Sequence, residues 1–322
     1  MKSNNIFWIV IICIIATIIG LTYLLITKIT SIAQDSNFSL QQELTEAKEI
    51  LSGEINWTEI KKKKNDKNII KSYRYAPFTV DENKRAYFAK GNLQYQASTN
   101  TWRFANNQWE IIGNDNQRIG KSDTTWIDLF GWGTSGYDGI LPTNHSTNLK
   151  DYAPDKRNIA KTQYDWGMYN PIEEKERVTS WRTPLRSEIL YLLTKRPNAA
   201  LLNFHAQING TKGIVILPDN LDYTKLVEYK IIDSKVGRKN LHIFTIEEWR
   251  EIEYLGAVFL PMAGSRKGTK VTIDNEGLYW LSSHKDSDKA YSLVFSNENI
   301  RLRTIERYQG LAVRLIRTAP NK

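Results

Sequence analysis

Cysteine is almost absent from this chain: its 322 residues hold one, Cys13. No disulfide can therefore form within the chain. Beyond the N-terminal region there is neither a thiol nucleophile nor a cysteine-based zinc site. Histidine is nearly as scarce, with His145, His205, His242 and His284 widely scattered. None falls in H-E-x-x-H or another ligand spacing, so no metal and no cofactor is expected. The G-x-S-x-G elbow that marks many serine hydrolases is missing, and so is any repeated strand–helix–strand unit of a doubly wound sheet. Stability has to come from a hydrophobic core alone, which a body of about 240 residues can supply.

Charge is modestly one-sided, with 44 basic against 35 acidic residues and a net +9. One dense cluster, Lys61-Lys62-Lys63-Lys64 followed by Lys67 and Lys71, has a composition that can attract nucleic acid or anionic lipid. It adjoins no zinc-finger or RNP-like pattern, so it reads as a solvated linker and no nucleic-acid partner is expected.

What the chain does have, near its start, is a long uncharged run. IFWIVIICIIATIIGLTYLLIT, Ile6 to Thr27, is about 22 residues and about 33 Å long as a helix, enough to cross a bilayer. Ser31-Ile32-Ala33 has a small-x-small form, but Lys28 separates it from the apolar run. The reading is an uncleaved membrane anchor over 1–28. Lys2 and the amino terminus precede the run and little but Lys28 follows it closely. The expected orientation is N-terminus in the cytoplasm, with the body periplasmic or extracellular. Ser39 and Gln42 fit a capping box, and Leu40, Leu44, Ile50 and Leu51 form a partial stripe. A short amphipathic helix ending at Ser52-Gly53 is expected inside a polar tether over 29–75.

From residue 76 the texture changes, and 76–318 reads as one α+β domain followed by a short tail, 319–322. Ala86-Tyr87-Phe88-Ala89, Asn92-Leu93-Gln94-Tyr95 and Thr101-Trp102-Arg103-Phe104 have strand character. Nine of the ten tryptophans lie beyond residue 50, mostly between 102 and 181. Long loops there must be ordered by large aromatic anchors. One helix is expected to open at Thr183-Pro184, with Pro184 in its first turn and Leu185, Ile189, Leu192 and Leu193 as its buried stripe. A second is capped by Thr245, carries Glu247 and Glu248 in its first turn, buries Trp249, Ile252 and Leu255, and ends at Gly256. Strands return at Ala257–Leu260, Leu278–Leu281 and Tyr291–Phe295. A terminal strand follows at Leu311–Ile316, in which Leu311, Val313 and Leu315 share one face and Ala312 and Ile316 the other. A strand apolar on both sides belongs inside a sheet. Arg314, its one charge, is expected to bond a carboxylate or backbone carbonyls.

The ordered segments KGNLQYQ, WRFANNQW, WIDLFGWGTSG, DWGMYN, WRTP, ILPDN, GAVFLPMAGSRKG, YWLSS and GLAVRLIR resemble the Fibrobacter succinogenes major paralogous domain of bacterial surface proteins. That family is similar to the C-type lectin-like fold in its formylglycine-generating-enzyme form, and the resemblance spans about residues 78–317. It implies two helices, short sheets, long aromatic-rich loops and a pairing of the first and last strands. It also implies that the last loops face a ligand. The enzyme relatives use a copper-binding cysteine pair, which this body lacks, so their activity does not carry over and no enzyme is expected. The calcium-binding triplets of sugar-binding C-type lectins are missing too, and Asp286 and Asp288 read as a solvated turn.

Gly131-Trp132-Gly133-Thr134-Ser135-Gly136 fits G-x-G-x-x-G, but Tyr137 to Pro142 cannot supply the helix that a dinucleotide site needs. Turns around a packed Trp132 are expected instead. The binding residues expected in the last loops are Trp280, Asn297, Asn299, Arg301, Arg303, Glu306, Tyr308 and Gln309. Tyrosine and arginine combine wide contact area with hydrogen-bonding ends. The expected ligand is a glycan or a protein at the envelope or a host surface; the alternatives are an envelope assembly role and, behind it, an enzyme with an unrecognised site.

Overall fold

The computed structural model describes residues 76–153, 157–172, 181–219, 221, 232–233, 237–238, 241–273 and 276–320. The expected anchor, its orientation and the tether lie outside the described residues. Among the described residues no helix is long and apolar enough to cross a membrane.

The architecture is mixed α+β, with few helices and several small sheets. The first strands are β1 (Phe78–Asp81), β2 (Lys84–Phe88), β3 (Leu93–Gln96), β4 (Thr101–Phe104) and β5 (Trp126–Ile127), followed by helix α1 (Arg186–Thr194). Next come β6 (Asn203–Ile208), β7 (Thr211–Ile216), β8 (Ile232–Asp233), β9 (Gly237–Arg238), β10 (His242–Phe244) and helix α2 (Ile246–Tyr254). The chain ends with β11 (Val258–Pro261), β12 (Ser265–Lys267), β13 (Lys270–Thr272), β14 (Glu276–His284), β15 (Lys289–Ser296), β16 (Ile300–Glu306) and β17 (Ile316–Thr318). The sheets run β1-β2-β17, β4-β3-β5, β10-β6-β7-β11 and β14-β15-β16, with the ribbons β8-β9 and β12-β13.

The C-terminal segment is not one strand over 311–316, since Leu311 and Ala312 form only isolated bridges and β17 begins at Ile316, but its side chains alternate as expected. Leu311, Val313 and Leu315 enter a core with Trp132, Trp166 and Trp280, while Ala312 and Ile316 enter a second core with Phe78, Tyr279 and Phe295. It is clasped from both sides: Ala89 and Leu93 donate to Leu315 and Val313 at 2.9 Å, and Trp280 donates to Ala312 at 3.0 Å. The end of the segment pairs with β2, Ile316 opposite Phe88. The first strand expected from the sequence, Ala86 to Ala89, thus pairs with the last, and β1 is an additional strand ahead of it. β1 holds the other edge of β2 and packs against α1, so the last strand meets the second.

Helix α2 follows its sequence signals: Thr245 Oγ1 accepts from Glu248 N at 3.2 Å, and Glu248 Oε2 accepts from Thr245 N at 2.9 Å. Trp249 and Ile252 are buried, and Gly256 leaves the helix at φ 96°. Helix α1 starts later than expected, with Leu185 at the cap and Pro184 ahead of it. The reason is Glu188, whose carboxylate accepts from Leu185 N at 2.8 Å and takes two bonds from Arg182 at 2.6 and 2.8 Å. The β6–β7 hairpin is absent from the sequence reading above, although Asn209-Gly210 between two runs is a strong turn signal. Both residues adopt positive φ, 47° and 79°.

The aromatic middle is pinned from inside. Trp132, Trp166 and Trp280 are buried, and their indole N–H groups donate to Leu281 at 2.9 Å, Thr134 at 3.1 Å and Phe130 at 2.7 Å. The G-x-G-x-x-G stretch is the expected set of turns, with Gly133 and Gly136 at positive φ and a single 3-10 turn following. Two aspartates are buried with these loops. Asp165 accepts from Thr183 N, Thr183 Oγ1 and Gly167 N, and Asp128 accepts from Ile112 N and Asn116 Nδ2.

Burial pushes the Asp165 carboxyl up to about 7 and that of Asp128 up to about 6, against the hydrogen bonds that favour their charged forms. An acid whose folded pKa lies above its unfolded value binds more protons folded than unfolded between those values. Its contribution is therefore lost as pH rises through that window. We expect the thermal midpoint to fall by about 5 °C or more between about pH 5 and pH 8, and Asp165→Asn to flatten the slope. Tryptophan fluorescence melts across that range check this, and a flat profile would contradict it.

Candidate functional site

The residues expected to form one ligand-facing loop surface are divided by a strand. Arg301 and Arg303 lie on β16, within a segment expected to be loop. Asn297 and Asn299 are exposed in the turn between β15 and β16, which Ser296 N closes by donating to Asn299 O at 3.0 Å. Glu306 ends β16, and Tyr308 and Gln309 follow it at the opposite end. The strand separates the two groups by about 20 Å. Trp280 is a correction: it has no exposed surface and belongs to the tryptophan core. Its side of β14 faces inward, so it cannot touch a ligand.

At the far end the polar groups are engaged with one another. Gln309 Nε2 donates to Glu306 Oε2 at 2.7 Å, Lys289 Nζ lies 3.7 Å from Glu306 Oε1, and Lys267 Nζ sits 5.5 Å from the centre of the half-buried Tyr308 ring. Arg301 and Arg303 differ, being exposed and in no ion pair among the described residues.

Alternation along Ile300-Arg301-Leu302-Arg303-Thr304-Ile305-Glu306 explains the placement. Ile300 stands opposite Phe295 and Leu302 opposite Leu293, and both pack onto the second core. Arg301 stands opposite Val294 and Arg303 opposite Ser292, so the arginines share the other face. Ile305, in the same file as the arginines, is buried in the tryptophan core and fixes the register. Pairing with β15 is regular through every residue from Lys289↔Glu306 to Phe295↔Ile300. β16 is the outer strand of its sheet, and among the described residues its backbone joins no further strand.

Beside this strand runs a cleft of about 390 Å³, lined by Arg186, Leu190, Leu193, Thr194, Ala199, Ala200, Asn203, Ile300, Arg301 and Leu302. Its wall is α1 and the helical turn Ala199–Leu202, and its floor is the apolar face of β16. Arg186 is held over the Tyr291 ring at 4.9 Å. Of the lining residues the sequence reading singled out only Arg301 as a contact. The period-two pattern of 300–306 was the signal that could have revealed the strand and, with it, Ile300 and Leu302.

The support beneath is rigid. Buried Arg307 stacks on Trp132 at 4.4 Å and donates to Ala153 O at 3.0 Å and to Asp286 O, fastening the end of β16 to the middle loops. Asp286 Oδ1 accepts from the amides of Asp288 and Lys289 at 3.0 and 2.8 Å, and these bonds hold its carboxyl below the usual range. The acidic pair is thus a turn, as expected. Among the described residues no group of three His, Cys, Asp or Glu side chains is placed to hold a metal ion. The arrangement offers an open strand edge with two exposed cations and, beside it, a cleft whose leucine and isoleucine side chains are flanked by Arg186 and Arg301. Compared with protein-family models, with curated proteins and with solved structures, the chain matches none.

Proposed function

We propose that this chain is a binding protein of the bacterial cell envelope, held by the apolar run at 6–27, and that its ligand is a protein contacted through β16. In this reading the body has a C-type lectin-like fold and no catalytic role. The nine sequence segments and the sheet that joins the first hairpin to the last strand support that fold.

One observation carries the functional reading: the outer edge of β16, regular over 7 residues and bordered by a cleft and by two exposed arginines that are in no ion pair among the described residues. A row of backbone N–H and C=O groups pairs with an extended peptide, and flanking side chains then select which one. A glycan site would draw on exposed aromatic rings, whereas Trp280 is interior and Tyr308 is occupied by Lys267. An assembly role uses the same surface with an envelope protein as the ligand.

Full-length protein in detergent micelles, applied to an array of envelope proteins, host-matrix proteins and glycans, tests the proposal. The expected result is binding to protein spots that falls about tenfold or more in the Arg301→Ser/Arg303→Ser variant and changes little in Tyr308→Ala. Envelope spots would assign assembly and matrix spots adhesion. Binding confined to glycans, sensitive to Tyr308→Ala and indifferent to the arginine pair, would overturn it.

A further inference from the structure

We propose that β16 accepts a fourth strand from its partner, and that the strand it selects has an acidic–apolar–acidic pattern. This rests on the reading of β16 as the ligand-contact strand and adds which sequence that strand reads.

The argument is one of register. Residues directly opposite each other in neighbouring strands share a face, and the faces alternate along the strand. A segment laid against the open edge of β16 therefore presents successive residues to Arg301, Leu302 and Arg303. Those opposite Arg301 and Arg303 meet two guanidinium groups with no carboxylate partner among the described residues. The one between them faces the side of Leu302, where Leu190, Leu193, Ile300 and Leu302 line the cleft between Arg186 and Arg301. Complementarity requires Glu or Asp, then an apolar side chain, then Glu or Asp.

The edge lacks most of the devices that guard a strand against pairing. Guarded edges are short, bulged, interrupted by proline or lined by charged side chains; only the last applies to β16, and charges of one sign at 301 and 303 make an edge selective for acidic partners. Here the strand runs through 7 residues without a register shift or a proline, and Ile300 and Leu302 are only partly covered by the second core. A second copy of this chain is a poor occupant. Antiparallel pairing of two β16 strands centred on Leu302 sets Arg301 of each against Arg303 of the other, and like charges opposite one another destabilise a pair.

The test uses full-length protein and fluorescent ten-residue peptides with a central Glu-Leu-Glu, Lys-Leu-Lys or Glu-Ser-Glu, read by anisotropy at low salt. We expect Glu-Leu-Glu to bind about tenfold or more tightly than Lys-Leu-Lys, and Glu-Ser-Glu to fall between them. Arg301→Glu/Arg303→Glu, whose unchanged melting confirms folding, should reverse the order of the two charged peptides. Alternate N-methylation of the Glu-Leu-Glu backbone should abolish binding, since a strand needs its amides and simple charge attraction does not. Equal affinities, an unreversed order or indifference to N-methylation would each overturn the inference. If protein spots on the array still depend on the arginine pair while every peptide fails, the pattern is wrong and the ligand-contact strand stands. If the spots do not depend on the arginines either, both fall.

Discussion

Arg314→Ala will destabilise the protein by about 3–5 kcal/mol, lowering its thermal midpoint by about 10 °C or more. The side chain is almost fully buried, and each nitrogen of its guanidinium is used. Nη1 donates to Ala89 O at 3.0 Å and to Gln108 Oε1 at 3.2 Å, Nη2 to Phe259 O at 2.8 Å, and Nε to Asn92 Oδ1 at 3.1 Å. Truncation would strip these acceptors of a charged donor and leave a cavity among them, and the two costs add. Gln108 Oε1 would keep a partner, since it still accepts from Phe259 N at 2.7 Å, whereas the single Tyr279 hydroxyl proton is directed to Pro261 O at 2.9 Å. The loss therefore falls on Asn92 Oδ1 and on the carbonyls of Ala89 and Phe259, which tie the end of β2 and β11 to the last segment. Arg314→Met fills the space without donating, so it should lose less than Arg314→Ala. Urea unfolding of both variants measures the split, and a loss below about 1 kcal/mol in Arg314→Ala would show that the network does not need its centre.

Trp280→Ala is expected to cost about 3–5 kcal/mol, while Trp280→Phe costs about 1–2. The ring is enclosed by the tryptophan core. Its N–H bond to Phe130 O, at 2.7 Å, is of secondary weight, since the same carbonyl accepts from Leu311 N at 3.0 Å. Lost packing is the larger part. The phenylalanine variant, which stays folded, should keep its affinity for protein or peptide within about twofold, because the nearest ligand-facing strand is two strands away. Equilibrium unfolding and the anisotropy assay on one preparation separate the two roles. A large loss of affinity with little loss of stability would return Trp280 to the contact surface.

Several features were legible because they are local. The two-faced alternation of Leu311 to Ile316 divides between two cores as the apolar pattern requires. Thr245 and Glu248 form their capping box because both partners lie within one helical turn. The expectation that Arg314 would bond a carboxylate or backbone carbonyls followed from the cost of an unpaired charge in such a strand; two of its four partners are backbone carbonyls, and the other two are the side-chain amides of Asn92 and Gln108. The Asn209-Gly210 turn of the β6–β7 hairpin is equally local, both residues taking positive φ.

What the sequence by itself determined, then, was period, caps, turns and which residues had to be inside. Tertiary structure alone decided who meets whom. Arg314 finds Asn92 across 222 positions, and no local periodicity encodes a partner so distant. The last strand pairs with β2 because β1 already occupies the other edge. Arg301 to Glu306 is a strand because Leu302, Ile305 and the regular ladder with β15 outweigh the polar look of its arginines. That same ladder separates Asn297 and Asn299 from Tyr308 and Gln309. Propensity acts over a few neighbouring residues, whereas pairing and depth of burial are set by the free energy of the whole packed chain.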